Sequence, residues 1–415
     1  MEYISSKNIF LLLRDALKLI DRRPMDHGSK VGYLMYKMLE CKGGYEQYEL
    51  ADFLMLATLH DIGAYKTDKM GDRITYEFKE PRPHSIYGFL FLKNLTPLAS
   101  MAKMVLYHRM PCGMIPEDFE YASETKVLTL AEAAEVYYLA LGDGFDYKMF
   151  RKQEGTFYST KALNLLDAAV EKYDVFNHLN DDSYQKELDE LLEYMIYTNE
   201  DKQRFMEMLM YCIGLRGKFM VYDSVTTLCV SRTIAEKMDL SPTQTERLYY
   251  ASLIHDIGML SVPAKIIEAP RKLTDEETKT VQKHVETEEA ILLNRMDEEV
   301  VKIATAHHER MDGSGYPRGL KENQMGIEQY ILQVADVVTA LYCKRLYREQ
   351  YTKEKIIETL TTEADEGHLN SRVVECFVYS YDEIMEEVEK KRSKALDNYT
   401  ALREKYAKSL EKFAK

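Results

Sequence analysis

Seven side chains in the second half of the sequence have the types a divalent metal needs, at spacings that put them on separate elements: Asp223, His255, Asp256, His284, His307, His308 and Asp336. His255 and Asp256 close the apolar run "LYYASLIHDIGML". Two adjacent polar groups at the end of a buried helix are costly unless something satisfies them. A metal ion does so, because imidazole nitrogen and carboxylate oxygen are ordinary ligands for Mn, Fe or Zn. Asp223, His255, Asp256 and Asp336 would make one ion's set. His284, His307 and His308, sharing Asp256, would make a second. Asp256 is the expected catalytic residue, with one oxygen for each ion. Two ions about 4 Å apart hold a bridging hydroxide and clamp the attacking and leaving oxygens of a phosphoester, so no separate general base is needed.

The first half repeats the pattern. "LATLHDIGAY" matches "ASLIHDIGML", placing His60 against His255, 195 residues apart. His27 answers Asp223, His84 answers His284, His108 answers His308 and Glu132 answers Asp336, at offsets that drift only to 204. An ordered set of landmarks at a nearly fixed offset marks an internal duplication. Eight of the ten histidines fall on these landmarks; His178 and His368 do not and are expected to be satisfied structural residues. A second metal site is therefore expected at His27, His60, Asp61, His84, His108 and Glu132, although Tyr107 stands where the second half has His307.

The elements that must position these residues are helices. The sequence has only 19 Gly and 10 Pro in 415 residues, and helix formers fill most segments. The expected fold is all-α: two tandem helical domains at 1–195 and 219–385, a connecting helix at 196–218, and a helical tail at 386–415. Leu396, Tyr399, Leu402, Tyr406, Leu410 and Phe413 recur in that tail at helical spacing. Two readings of it stay open: a helix packed on its own domain, or one that joins two copies as a homodimer. The net charge of −14 argues against a polymeric nucleic acid as partner, since that affinity comes from Lys and Arg neutralising many phosphates. Six dispersed cysteines without C-x-x-C spacing favour a reducing cytoplasm. The opening segment reads as an amphipathic helix, not a signal peptide, and no apolar run reaches the roughly 20 residues of a membrane span.

"HDIG" followed by "HHERMDGSGYPRGL" and "QVADVVTALYCKRLYR" resembles the HD-GYP group of HD-domain metal-dependent phosphohydrolases. The resemblance covers most of 219–385, and the first domain is similar to a more divergent HD domain without the Gly-Tyr-Pro loop. It implies an all-α fold and hydrolysis of a cyclic dinucleotide, cyclic di-GMP or cyclic GMP-AMP. It places metal ligands at His255, Asp256, His284, His307, His308 and Asp336, Tyr316 beside a base or ordering its loop, and Arg345 near a substrate phosphate. Fe or Mn is expected ahead of Zn. Asp223 replaces the group's first histidine, Phe219 replaces the glutamate of three-metal members, and Met259 replaces the lysine that follows HDIG. Two ions are therefore expected, and the first domain is expected to be regulatory. The alternative is a domain that binds a cyclic dinucleotide or a protein partner without hydrolysis.

Overall fold

The computed structural model describes residues 2–67, 83–214, 220–344 and 349–413. Among the described residues the regular elements are helices, α and 3-10, with three isolated β-bridges and no strand. The chain divides into two compact units whose membership is not a simple cut in the sequence. Helix α1 (Ser6–Ile20) assorts with Phe205–Thr400, whereas Ala401–Lys415 assort with Asp21–Arg204. The units thus assort the two ends differently from the expected division into 1–195 and 219–385.

The first unit is built from α2 (Arg22–Lys42), α3 (Gln47–Leu59), α4 (Pro83–Leu95), α5 (Lys103–Tyr107) and α6 (Ala122–Leu141). Asp21 caps α2 by accepting the Arg23 backbone N–H. A reciprocal Glu46/Glu49 capping box starts α3. From Leu50 to Leu59 every residue of α3 except Asp52 is buried, so this helix is core on all sides. His60 follows as its C-cap, delivered to the centre of the unit.

The second unit follows the same plan with α7 (Met220–Lys237), α8 (Pro242–Ile254), α9 (His284–Leu292), α10 (Glu298–Ala304) and α11 (Ile327–Tyr342). Ser241 and Gln244 form the capping box of α8, with Pro242 in its first turn, and His255 is its C-cap. A buried Thr227–Thr339 hydroxyl pair, 2.9 Å apart, ties α7 to α11. Helix α1 lays Ile9, Phe10, Leu12, Leu13, Ala16 and Leu17 into this unit. Polar contacts fix its place: Asn8 donates to the Arg295 carbonyl (2.9 Å), and the Asp297 N–H donates to Tyr3 O (2.8 Å). Helix α12 (Tyr381–Phe413) closes the chain. Its Tyr406 ring meets Tyr87 of α4 edge-on, with centroids 5.7 Å apart. No helix of the described residues is long and apolar enough to cross a membrane.

Candidate metal centres in both units

The two HDIG glycines are dictated by geometry. A Cβ on Gly258 would lie 1.9 Å from the His284 carbonyl oxygen, and one on Gly63 would lie 2.0 Å from that of His84. The turn carrying His-Asp therefore presses directly on the start of the helix carrying the next histidine. Only glycine permits that approach.

Five histidines use one device to face inward. The Nδ1 of His60, His108, His255, His284 and His307 meets the backbone carbonyl three residues earlier, at 2.6, 2.6, 3.0, 2.7 and 2.6 Å. A carbonyl only accepts, so Nδ1 carries the proton and Nε2 presents a lone pair. This is the orientation a metal-ligating imidazole takes.

In the second unit, His284, His307 and His308 offer ligand atoms within 4.8 Å of one another. The Nε2 atoms of His284 and His307 face each other at 3.1 Å. Two lone pairs so placed repel unless a cation or proton lies between them, and the donor set therefore fits a metal ion. Asp256 points Oδ2 at His255 Nε2 (3.4 Å) and Oδ1 at His284 Nε2 (3.5 Å), one oxygen toward each side. Burial holds His284 below the usual histidine range and, with the neighbouring histidines, His307 well below it. Asp336, expected with His255, lies 3.3 Å from His308 Nδ1. Burial alone would raise its carboxyl, but His308 and His307 outweigh this and hold it well below the carboxylate range. Asp223 sits outside the histidine trio, on α7, beside Cys343; burial first and then this carboxylate push the Cys343 thiol up to about 12. Arg345 and Phe219 lie outside the described residues.

The Gly-Tyr-Pro loop is seated on this centre. The Tyr316 ring stacks on His308 with centroids 4.7 Å apart, and its N–H donates to His308 O (3.1 Å). The fully buried Glu309 carboxylate accepts the backbone N–H groups of Arg318 and Leu320, both at 2.8 Å. Glu309, which directly follows the His307–His308 pair, is a clamp that its place in the sequence did not announce. Nor did the sequence announce Glu288, buried on α9 with no hydrogen-bond partner for either oxygen. Burial and then Asp256 push its carboxyl well above the usual range.

The first unit gathers its expected residues too: His27, His60 and Glu132 form one close group, and His60, Asp61 and His108 another. His84 Nε2 lies 3.5 Å from Asp61. His60 Nε2, His108 Nε2 and Glu132 Oε2 are buried without a hydrogen-bond partner, as donors awaiting a cation would be. Glu135 binds His27 Nδ1 at 2.6 Å. The second unit has Thr339 at the matching place, where its first candidate ligand is the carboxylate Asp223; a supporting carboxylate suits imidazole and would repel Asp223. A further residue here was not anticipated. Arg109 binds Glu132 through Nε (2.5 Å) and Nη2, and Nη2 lies 3.7 Å from Asp61. Burial would raise Glu132, but Arg109, then His108 and His60, bring it down to about 2. Matching His108 to His308 sets Arg109 against Glu309, a charge reversal visible in the sequence. His178 and His368 lie outside these groups, held by Glu187 (2.7 Å) and Glu363 (3.2 Å).

Residues 207–373 match the family described as HD domain. Over 411 residues, 90% of this chain and 91% of the relative, the sequence is 23% identical to the 3'3'-cGAMP-specific phosphodiesterase 1 of Vibrio cholerae. It is 36% identical over 160 residues to a cyclic di-GMP phosphodiesterase of Thermotoga maritima, a match spanning 37% of this chain and 43% of that protein. The fold is that of a solved cyclic GMP-AMP specific phosphodiesterase of V. cholerae, with a TM-score of 0.58, 15% identity, and coverage of 92% of this chain and 98% of that one. The 207–373 segment that matches the HD domain family thus holds HDIG, the His-His-Glu run and the Gly-Tyr-Pro loop at one centre.

Proposed function

We propose that the chain is a phosphodiesterase that hydrolyses a cyclic dinucleotide, cyclic di-GMP or 3'3'-cGAMP, at the second-unit centre. The observation that carries this is the convergence of His284, His307 and His308 on one point, with Asp256 directed to both sides of it and Tyr316 stacked at its edge. Asp223, His255, Asp256, His284, His307, His308 and Asp336 are the proposed ligands of two divalent ions, Fe or Mn ahead of Zn. Bound there, such ions supply Lewis acidity and an activated water at neutral pH.

The protein's own part is positional. Backbone carbonyls fix the imidazole tautomers, so the ligand nitrogens need no proton loss before they bind. Tyr316 offers an aromatic face, its backbone held by His308, against which a nucleobase can pack. Arg345 is the proposed partner of a substrate phosphate, a role that suits its planar charge. The charge of −14 suits a small substrate met at a local cationic site over a polymeric nucleic acid. All six cysteines are free thiols, in keeping with a reducing cytoplasm.

The test incubates Mn- or Fe-loaded protein with each dinucleotide and follows the linear product by chromatography. Wild-type protein is expected to consume at least one of them, and His307→Ala to lower the rate at least about 100-fold. Metal-replete protein that turns over neither, or an unimpaired His307→Ala variant, would overturn the reading.

A further inference from the structure

The duplicated centres differ in charge as well as in ligands. In the second unit the residue after the last histidine is Glu309, turned away to clamp the loop. In the first unit it is Arg109, turned inward to the two carboxylates that a second ion would share. Its side chain is only 10% exposed, so its charge is not screened by bulk water. That charge stands 3.7 Å from Asp61, the carboxylate that His84 Nε2 and His108 Nε2 approach at 3.5 and 3.9 Å. It is therefore placed on the side where the second unit gathers His284 and His308.

The same side has also lost a ligand. His307 is fully buried among the second unit's histidines. Tyr107, at the matching position, instead packs edge-on against Phe119, at the margin of the Met110, Ile115 and Ala122 cluster. On the opposite side the ligand set is complete: His27, His60 and Glu132 lie close together, with Glu135 supporting His27.

We infer that the first-unit centre binds a single divalent cation at His27, His60 and Glu132, with Arg109 standing in for the second cation of its sister centre. A guanidinium bound to Glu132 and facing Asp61 neutralises one of the three negative charges of Asp61, Glu132 and Glu135. One divalent ion then brings the cluster to neutrality, and a second would leave two positive charges in a buried site with no carboxylate to offset them. Such a centre holds the unit together around one ion and lacks the two-ion arrangement that phosphodiester cleavage uses in the second unit.

The test uses the full-length chain with the second-unit site disabled by His255→Ala and His307→Ala, titrated with Mn(II). Bound metal is counted by elemental analysis, and spin coupling between ions is read by electron paramagnetic resonance. The expected count is one uncoupled Mn per chain. Adding His60→Ala should bring it to zero, Arg109→Lys should leave it at one, and Arg109→Gln should raise it to two with a coupled signal. Two ions with Arg109 in place, no ion at all, or a count that stays at one in a helical Arg109→Gln protein would overturn the inference. None of these readouts depends on turnover, so failure of the proposed activity would leave them decisive.

Discussion

Replacing Glu309 by Gln changes one carboxylate oxygen to an amino group and leaves the side-chain shape intact. In the wild-type protein both oxygens are used, one by the Arg318 N–H and one by the Leu320 N–H, each at 2.8 Å. An amide satisfies one of these and turns a donor toward the other. A hydrogen bond to a charged group is worth about 1.5–3 kcal/mol, and the loop's partial exposure lets water replace some of it. A cost of about 2 kcal/mol is therefore expected, confined to the loop that carries Tyr316. That corresponds to roughly a 30-fold rise in local opening. Hydrogen exchange read by mass spectrometry should show this acceleration in peptides covering 312–322. Peptides from α9 and α10 should be unchanged, and Glu309→Ala should roughly double the energetic effect. Unchanged exchange in the loop, or equal acceleration in α9 and α10, would refute the assignment of Glu309 as a local clamp.

Two further perturbations test the framework around the centres. Gly258→Ala forces a Cβ to within 1.9 Å of the His284 carbonyl oxygen, so the turn and α9 must separate. A loss of about 3 kcal/mol is expected in urea melts, with fewer metal ions retained by the second unit. In metal-free protein, burial outweighs Asp61 and Glu132 and lowers His60 to about 4, whereas the unfolded chain titrates near 6.5. The unfolded state therefore binds more protons between these values, and stability falls as pH drops from about 6.5 to 4, by up to about 3 kcal/mol from this residue. His27, raised by Glu135 against the effect of burial, acts in the opposite sense. Urea melts at pH 7.5 and 4.5 should show a shallower pH dependence in His60→Gln than in wild type.

Much of this arrangement was legible because it is written in local patterns. The apolar run ending in HDIG is a buried helix ending in its C-cap histidine, in both halves. In both halves the HDIG glycine lies so close to the carbonyl of the next landmark histidine, 21 residues on in the first and 26 in the second, that no Cβ would fit. What escaped was chemistry that depends on where a side chain turns after the fold has formed. Arg109 and Glu309 occupy matching positions, yet one enters the centre and the other leaves it for a loop the first unit lacks. Glu288 stands where the first unit has Gly88, and nothing in "HVETEEAILL" marks the second of its three glutamates as the buried acid. Tertiary contact also decided the company of α1, whose amphipathic stripe announced a buried face but not which unit would bury it.

That placement of α1 sets an order of events during synthesis. Residues 6–20 are made long before the α9–α10 region that receives Asn8 and Tyr3, which follows nearly three hundred residues later. Conversely, Tyr87 is made early and meets Tyr406 only when almost the whole chain is available. Neither unit can finish in the usual order of one domain after another. The apolar face of an amphipathic helix must therefore wait for its partners through most of translation. A ribosome stalled anywhere between the two HDIG motifs would therefore hold a chain in which neither candidate centre has its complete scaffold.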